Sequence, residues 1–248
     1  ACASSTVGIA LAAQKIARGE HGRAVVCGGD VVTEFVVKGF SALKALTPSR
    51  CRPFDRGRDG MCIGDGAVAM LLADARTARE HGFERLAKID GWGSANDANH
   101  NPGPSADGAG LVRAVAAALE TARMRPDAVQ AFCAHGTGTV YNDGMEIAAV
   151  EALFGRRRLP VFSIKGAIGH TLGAAGGIDA AVCINALIEG RIPPTAGLQT
   201  PMPAAQDRVS RGSQAFAGGN ILTSNSGFGG INAALVLSSG EDKSRAAP

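Results

Sequence analysis

Short apolar segments alternate with longer amphipathic segments along most of this chain. From residue 85 the pattern predicts strand 85–92, helix 108–124, strand 129–134, helix 143–154, strand 160–164, helix 171–189 and closing strands near 215–223 and 231–238. Strands that alternate with helices in this way are typical of a largely parallel sheet that is covered by helices. The chain is therefore predicted to adopt an α/β fold.

The opening segment predicts a helix at 4–18, a short buried strand at 23–27, a glycine-containing connection through 38–40, a second strand at 67–72 and a helical connector at 75–81. This order, helix, strand, strand, repeats the last three elements of the later series. We therefore predict two copies of one βαβαβαββ unit, the first truncated at its N-terminus. The halves are expected at residues 1–82 and 83–239, followed by a flexible tail at 240–248.

Composition excludes several classes of function. The chain has 25 Lys and Arg against 22 Asp and Glu, a net charge of +3, which is too small to predict a nucleic-acid or polybasic membrane surface. The longest uncharged run, residues 212–240, could span a membrane by length. It contains seven glycines, three asparagines and five serines, however, so we predict no membrane helix there.

Six cysteines lie along the chain without CxxC spacing, and we expect no signal peptide: Cys2, Cys27, Cys51, Cys62, Cys133 and Cys183. This distribution favours neither a metal site nor a secreted disulfide framework. We expect a cytoplasmic protein without a bound metal. The 34 glycines are an unusually large number and indicate many tight turns.

Cys2 lies at or just before the start of the first predicted helix. The unpaired N–H groups and the dipole of a helix N-terminus favour a thiolate over a thiol, as nucleophilic catalysis requires. The alternative is an ordinary small buried cysteine, and position alone does not exclude it.

Two histidines follow predicted strands. His135 lies in a Gly- and Thr-rich segment at the end of strand 129–134, and His170 follows Lys165 by five residues, before a glycine-rich helix start. If the two units are equivalent, Cys2 and His170 occupy matching places, near the carboxyl ends of parallel strands where ligands bind. Each histidine alone could be a hydrogen-bonded structural residue; together with Cys2 they favour a site.

A third glycine cluster, residues 226–232, lies between the two closing strands. It could be a simple hairpin turn. The functional alternative is a loop whose backbone N–H groups are free to hold an oxyanion.

Seven motifs in this order resemble the β-ketoacyl-acyl-carrier-protein synthases of the thiolase-like superfamily, specifically the elongating, two-histidine type. They are ACASS at 1–5, PFDRGRDG at 53–60, GDGA at 64–67, AHGTGT at 134–139, SIKGAIGH at 163–170, LGAAGG at 172–177 and GFGG at 227–230. The resemblance covers nearly the whole chain and implies duplicated thiolase-like units in a layered α/β/α/β/α arrangement.

The resemblance also implies a role for each matching residue. Cys2 would be the acylated nucleophile, His135 and His170 the pair that promotes malonyl decarboxylation, and Lys165 the lysine behind them. The remaining implied assignments are Cys2 and Phe228 for the oxyanion hole, Phe228 also for gating, Thr137 and Thr139 for phosphopantetheine, Asp143, Glu146 and Asp179 for support, Phe40 for the acyl pocket and Lys44 for carrier-protein docking. Asp179 stands where the family usually has a glutamate.

The implied reaction is a decarboxylative Claisen condensation of a Cys-bound acyl chain with malonyl-acyl carrier protein, without a cofactor, in type II fatty acid synthesis. The implied partners are an acidic acyl carrier protein and a second copy in a homodimer, with the strand at 23–27 as the expected dimer edge. Neither nucleic acid nor membrane is expected.

Several alternatives stay open. One is a type II polyketide or specialised lipid pathway; others are a non-catalytic partner subunit of the chain-length-factor type and a thiolase or CoA-dependent acyltransferase. Ser226 and Met61 both replace a phenylalanine that is frequent in the family, which leaves the shape of the acyl pocket open.

Overall fold

A computed structural model describes residues 2–97 and 103–240. The helices are α1 (Ser4–Ala17), α2 (Glu34–Ala42), α3 (Ala75–Glu80), α4 (Ala109–Ala122), α5 (Val140–Phe154), α6 (Lys165–Ile168) and α7 (Ala175–Glu189). The strands are β1 (Arg23–Asp30), β2 (Gly66–Ala73), β3 (Ala87–Asn96), β4 (Val129–Cys133), β5 (Val161–Phe162), β6 (Arg191–Ile192), β7 (Gln214–Ala215), β8 (Asn220–Gly227) and β9 (Ile231–Ser239). The predicted tail lies outside the described residues except for residue 240.

The larger sheet has five strands in the order β3-β9-β8-β4-β5. Strands β4, β5 and β8 run parallel, whereas β9 pairs antiparallel with both β8 and β3. Helix α4 packs on one face of this sheet and contacts α5, and helices α1 and α7 pack on the other face. The sheet is therefore covered on both sides, and its central strands carry some of the largest fully buried side chains, such as Phe132 and Leu222.

A second, two-stranded sheet pairs β1 with β2 antiparallel, from Arg23 opposite Ala73 to Asp30 opposite Gly66. Helices α1 and α7 contact its inner face. Among the described residues the layers are thus β1–β2, α1 with α7, the five-stranded sheet, and α4 with α5. This is the α/β fold with a mixed sheet that the sequence predicts.

The exposed face of β1 and β2 corrects one prediction. Strand 23–27 was expected to be buried, but accessibility alternates along both strands, and Val25 and Leu71 are 65% and 51% exposed. Strand β1 is therefore apolar in composition although only one of its two faces is covered.

Three further elements differ from the prediction. The connection through residues 38–40 is part of helix α2, whose first turn is capped by the Thr33 side chain, which accepts from the Val36 N–H. Helix α5 begins at Val140 rather than at residue 143, because Thr139 caps it. The closing strand predicted near 215–223 is β8, which begins at Asn220 after two glycines with φ of 89° and 114°.

One helical segment in the described part of the chain, Leu172–Glu189, is long and apolar enough to cross a membrane, and 56% of it is buried inside the structure. Core helices of globular proteins meet the same criterion, and α7 here packs between the two sheets. The uncharged run at 212–240 forms strands rather than a helix, as the sequence predicts.

Candidate active site

Three side chains meet where the parallel strands end. His135 follows β4, Lys165 follows β5, and Asn225 lies near the carboxyl end of β8. Two more residues reach the same place from helix starts, since Cys2 precedes α1 and His170 precedes α7. The imidazole rings of His135 and His170 are 5.0 Å apart, edge to face, and both line a pocket with Cys2.

Cys2 lies two residues before α1, as predicted, and is 6% exposed. The structure does not bear out the expected thiolate. Burial raises the pKa of the Cys2 thiol, and the charge of Lys165 offsets this only in part. The loss of solvation therefore outweighs the favourable helix N-terminus, and burial favours the thiol form of Cys2.

Both imidazoles are neutral. Burial, reinforced by the positive charge of Lys165, lowers the pKa of His170 to about 3. The same two causes hold the pKa of His135 well below its ordinary value. Neither ring nitrogen of His170 has a hydrogen-bond partner within the described residues, although the side chain is buried. A buried imidazole without a partner is poised to bind a group that enters the pocket.

A buried ion pair lies behind the histidines. Lys165 Nζ is 3.1 Å from Asp179 Oδ2, and the two side chains are 2% and 1% exposed. Burial by itself lowers the pKa of Lys165, but the attraction of Asp179 outweighs it and raises the pKa overall. Lys165 therefore carries a positive charge next to both rings, which keeps them neutral. Asp179 is the partner of Lys165, at the position where the family usually has a glutamate.

Two acidic residues of α5 hold the loop that carries His135. Glu146 accepts from the backbone N–H groups of His135 and Gly136, both at 2.6 Å. Asp143 accepts from Phe54 N at 2.7 Å and from Gly138 N at 3.2 Å. Burial raises the pKa of Glu146 to about 8 and that of Asp143 to about 6. Each of these carboxyl groups thus holds two backbone N–H groups, which supports a structural role.

The pocket in front of these residues has a volume of about 250 Å³. Its wall includes Thr137 and Thr139, whose hydroxyls are 3.0 Å apart, and the exposed Lys44 at its mouth. Phe228 is 42% exposed and stacks on Phe40 with ring centroids 5.5 Å apart. The sequence-predicted pocket residues are thus brought to one cavity.

The turn between β8 and β9 lies beside Cys2. A side chain at Gly227 would come within 3.6 Å of Cys2 N, so the backbone of this turn approaches that of Cys2 closely. The turn is held to β3 by a hydrogen bond from Asp97 N to Gly230 O at 2.7 Å. The glycine cluster is therefore the hairpin turn between β8 and β9, and its role in holding an oxyanion stays a prediction.

Sequence reasoning did not identify Thr6, Asn142 and Asn225. Asn142 donates to Glu146 at 2.8 Å, and Asn225 contacts both His135 and Asp179. A signal was present for Asn225, because Thr223, Ser224 and Asn225 are polar in an otherwise buried strand. Within the described residues no group of three or more His, Cys, Asp or Glu side chains could hold a metal ion.

The family follows from two matches that divide the chain between them. Residues 1–78 match the model of the beta-ketoacyl synthase N-terminal domain, and residues 86–199 match that of the beta-ketoacyl synthase C-terminal domain. The chain belongs to the beta-ketoacyl synthase family. The predicted division between residues 82 and 83 stays a prediction.

Two curated beta-ketoacyl synthases illustrate the range of relatives. The chain is 36% identical over 246 residues to the 3-oxoacyl-[acyl-carrier-protein] synthase 2 of Staphylococcus aureus. The aligned residues cover 96% of this chain and 61% of the relative. It is 37% identical over 224 residues to the tetracenomycin polyketide synthase ketoacyl synthase alpha subunit of Streptomyces glaucescens. Here the aligned residues cover 86% of this chain and 53% of the relative. The chain thus spans little more than half the length of these relatives.

Solved ketosynthase structures share the fold. The ishigamide ketosynthase/chain length factor matches with a TM-score of 0.91 and 31% identity, over 96% of this chain and 59% of that one. A type II polyketide synthase acyl carrier protein in complex with its ketosynthase, bound to the hexaketide, matches with a TM-score of 0.92 and 26% identity, over 97% of this chain and 62% of that one. The thiolase-like ketosynthase fold predicted from the motifs is therefore confirmed.

Proposed function

We propose that this chain carries the condensing site of a β-ketoacyl-acyl carrier protein synthase. The proposed reaction joins a Cys2-bound acyl chain to malonyl-acyl carrier protein and gives 3-oxoacyl-acyl carrier protein and CO₂. One observation carries the proposal: Cys2, His135 and His170 line the same pocket, with the two imidazoles 5.0 Å apart.

In the first half-reaction the Cys2 sulfur attacks the thioester carbonyl of an acyl carrier protein. The C–S bond to Cys2 forms, the bond to the carrier thiol breaks, and the proton of Cys2 leaves with the carrier thiol. Because Cys2 rests as a thiol, this proton must leave as the attack proceeds, and a neutral imidazole beside it can relay the proton. The backbone N–H groups of Cys2 and Phe228 are the proposed donors to the oxyanion.

In the second half-reaction malonyl thioester loses CO₂. The electron pair of the broken C–C bond forms an enolate, whose carbon attacks the carbonyl of the acyl group on Cys2. The tetrahedral intermediate expels the Cys2 thiolate, which takes up one proton from solvent to regenerate the resting thiol. A buried neutral imidazole can donate an N–H hydrogen bond to the enolate oxygen, and His135 and His170 are the proposed donors. Lys165 supplies positive charge behind them, and Thr137 and Thr139 are the proposed contacts of the phosphopantetheine arm.

The expected partners follow from the same proposal. An acyl carrier protein delivers both substrates, and its proposed docking surface includes Lys44 at the pocket mouth. Support comes from the similar ketosynthase that was solved with its acyl carrier protein. We propose a homodimer, with a ketosynthase/chain length factor pair as the heterodimeric alternative. We further propose a cytoplasmic enzyme that requires no cofactor.

A polyketide pathway is the second candidate, and Ser226 favours it. Ser226 lines the pocket and donates to Asn232 Oδ1 at 2.6 Å, where a bulky phenylalanine is frequent in the family. A small polar wall leaves room for a chain that carries oxygen atoms. Comparison of saturated and 3-oxo acyl thioesters of equal length tests this, because a fatty acid enzyme should favour the saturated chains.

Mass spectrometry of the intact chain tests the proposed function. After incubation with a medium-chain acyl thioester we expect one acyl adduct, mapped to Cys2 and absent in Cys2→Ala. The exposed Cys27 provides a built-in check on unspecific acylation. An adduct that persists in Cys2→Ala would contradict the assignment of the nucleophile, and a non-catalytic partner subunit would form none.

His170→Ala separates the two half-reactions. We expect it to retain acylation of Cys2, while release of CO₂ from malonyl thioester falls on the order of 10²- to 10³-fold, the cost of removing one oxyanion donor. Unchanged CO₂ release would remove His170 from the mechanism.

A further inference from the structure

Asn225 occupies the centre of the buried hydrogen-bond network behind the pocket. Its Nδ2 is 2.8 Å from Asp179 Oδ2 and 3.2 Å from His135 Nδ1. Its Oδ1 accepts a hydrogen bond from the hydroxyl of Thr6 at 2.6 Å. The side chain is fully buried, so these contacts are not exchanged with water.

The three contacts leave only one orientation for the amide. The Asp179 oxygen already accepts from Lys165 at 3.1 Å and, as a carboxylate, can only accept again, so it must face the NH₂ group of Asn225. The Thr6 hydroxyl then donates to the amide oxygen. With both hydrogens of Nδ2 directed at acceptors, His135 Nδ1 accepts, and the single ring proton of a neutral imidazole is on Nε2.

Local packing is built around this contact. Where helix α7 passes next to Thr6 and Asn225, its residue is a glycine, Gly176. A side chain there would lie 1.8 Å from the Thr6 hydroxyl and 2.8 Å from Asn225 Oδ1. Only a residue without a Cβ atom allows helix α1, strand β8 and helix α7 to come together at this point.

We propose that Asn225 is a positioning residue that fixes His135 in the tautomer with its proton on Nε2. The inference rests on the proposed function for its chemical consequence. With Nδ1 turned toward Asn225, Nε2 is the ring nitrogen available to the pocket that His135 lines, and its N–H can donate to the enolate oxygen. The opposite tautomer would present a lone pair to that oxygen and repel it.

Nitrogen-15 NMR of the imidazoles tests the tautomer directly and needs no turnover. Protonated and unprotonated ring nitrogens resonate far apart, and His135→Ala assigns the His135 signals among the five histidines. In the unmodified chain we expect one sharp neutral tautomer with the proton on Nε2. In Asn225→Leu, which retains the approximate size and removes both donors, we expect the tautomers to mix or to invert.

Two further variants complete the test. Ser224→Ala is the matched control, because this neighbouring hydroxyl is buried and has no hydrogen-bond partner within the described residues; its spectrum should match the unmodified chain. Thr6→Val removes only the donor that orients the amide, so it should shift the tautomer less than Asn225→Leu. It also remains informative if Asn225→Leu does not fold. A single Nε2–H tautomer retained in Thr6→Val and Asn225→Leu, or a proton on Nδ1 in the unmodified chain, would overturn the proposal.

Rates of CO₂ release and of Cys2 acylation distinguish this inference from the proposed function. We expect Asn225→Leu to reduce CO₂ release from malonyl thioester on the order of 10²-fold, while the rate of Cys2 acylation changes less than about threefold. If the tautomer shifts as expected but no variant or unmodified chain decarboxylates malonyl thioester, the proposed function fails and the positioning role stands. Unchanged CO₂ release in a variant with a shifted tautomer would overturn its catalytic consequence.

Discussion

The two sheets of this protein differ in how completely they are covered. The five-stranded sheet has helices on both faces, and from its parallel strands come His135, Lys165 and Asn225, at or near the strand ends. Among the described residues the β1–β2 sheet is covered on one face only; Cys2 precedes helix α1, which packs on that face, and the pocket residue Phe40 lies in helix α2. The buried ion pair and the hydrogen bonds of Asn225 thus lie at the sheet that is covered on both faces, where burial strengthens electrostatic interactions, and Cys2, the proposed nucleophile, comes from the segment beside the other sheet.

The largest expected effect concerns the enclosed histidines. The pKa of His170 is about 3 in the folded chain and 6.5 as its ordinary value, so between these values the unfolded chain binds the extra proton and the folded chain does not. The contribution of His170 to stability is therefore fully present above about pH 6.5 and is lost as the pH decreases toward 3, by on the order of 5 kcal/mol. The raised pKa values of Glu146, about 8, and Asp143, about 6, contribute a slope of the opposite sign as these two carboxyl groups take up protons. Urea unfolding at a series of pH values measures the slope.

His170→Leu should flatten that slope, whereas the corresponding change at the exposed His21 should not. An acid slope that is the same in His170→Leu and in the unmodified chain would show that this imidazole is accessible to protons in the folded state.

The buried ion pair is expected to have the next largest effect. Lys165→Met leaves Asp179 buried without its cation, which costs about 3–5 kcal/mol. Lys38→Met breaks an exposed pair with Glu34 and should cost less than about 1 kcal/mol. Chemical denaturation of both variants measures the difference, and equal costs would mean that water reaches the Lys165 pair.

A matched pair of leucines tests the difference in coverage directly. Leu235 in β9 is fully buried and Leu71 in β2 is 51% exposed. Leu235→Ala should destabilise the chain by about 2–5 kcal/mol and Leu71→Ala by less than about 1 kcal/mol. A Leu71→Ala cost as large as that of Leu235→Ala would show that the open face of β1–β2 is covered in solution, as it would be by a second chain.

The smallest expected effect is at the pocket mouth. Lys44→Glu should raise KM for carrier-bound substrate by roughly threefold to fivefold, because a single exposed ion pair contributes at most about 1 kcal/mol. A CoA-bound substrate should be unaffected. Lys15→Glu, near the opposite end of α1 from Cys2, is the matched charge reversal and should change neither KM. Equal increases for both substrates in Lys44→Glu would remove Lys44 from the docking surface.

Most elements of the five-stranded sheet and its covering helices could be predicted from the sequence. The spacing of apolar residues indicates which side chains are buried, and these elements have regularly spaced buried side chains. Strand β4 and helices α4 and α7 were placed within a few residues. Helix α2 was not predicted, since none of its residues is buried and Gly39 suggested a break. Strand β1 was predicted as buried because an apolar strand of five residues does not reveal that only one of its faces is covered.

The residues of the candidate site also differ in whether the sequence could predict them. Motifs place Cys2, His135, Lys165 and His170 at helix starts and strand ends, where topology alone brings such residues together. No local pattern indicates the contacts of Asn225, because its partner Thr6 is 219 residues away in the chain.

By itself, the sequence determined the order of strands and helices, the family and the residues at the ends of the parallel strands, because these depend on short-range patterns. Only the tertiary structure decided the protonation of the site. Burial raises the pKa of Cys2 and lowers the pKa of both histidines, whereas the pKa of Lys165 is raised despite its burial, chiefly because Asp179 lies 3.1 Å away. Solvation and charge at each group are set by segments that meet only in the folded chain.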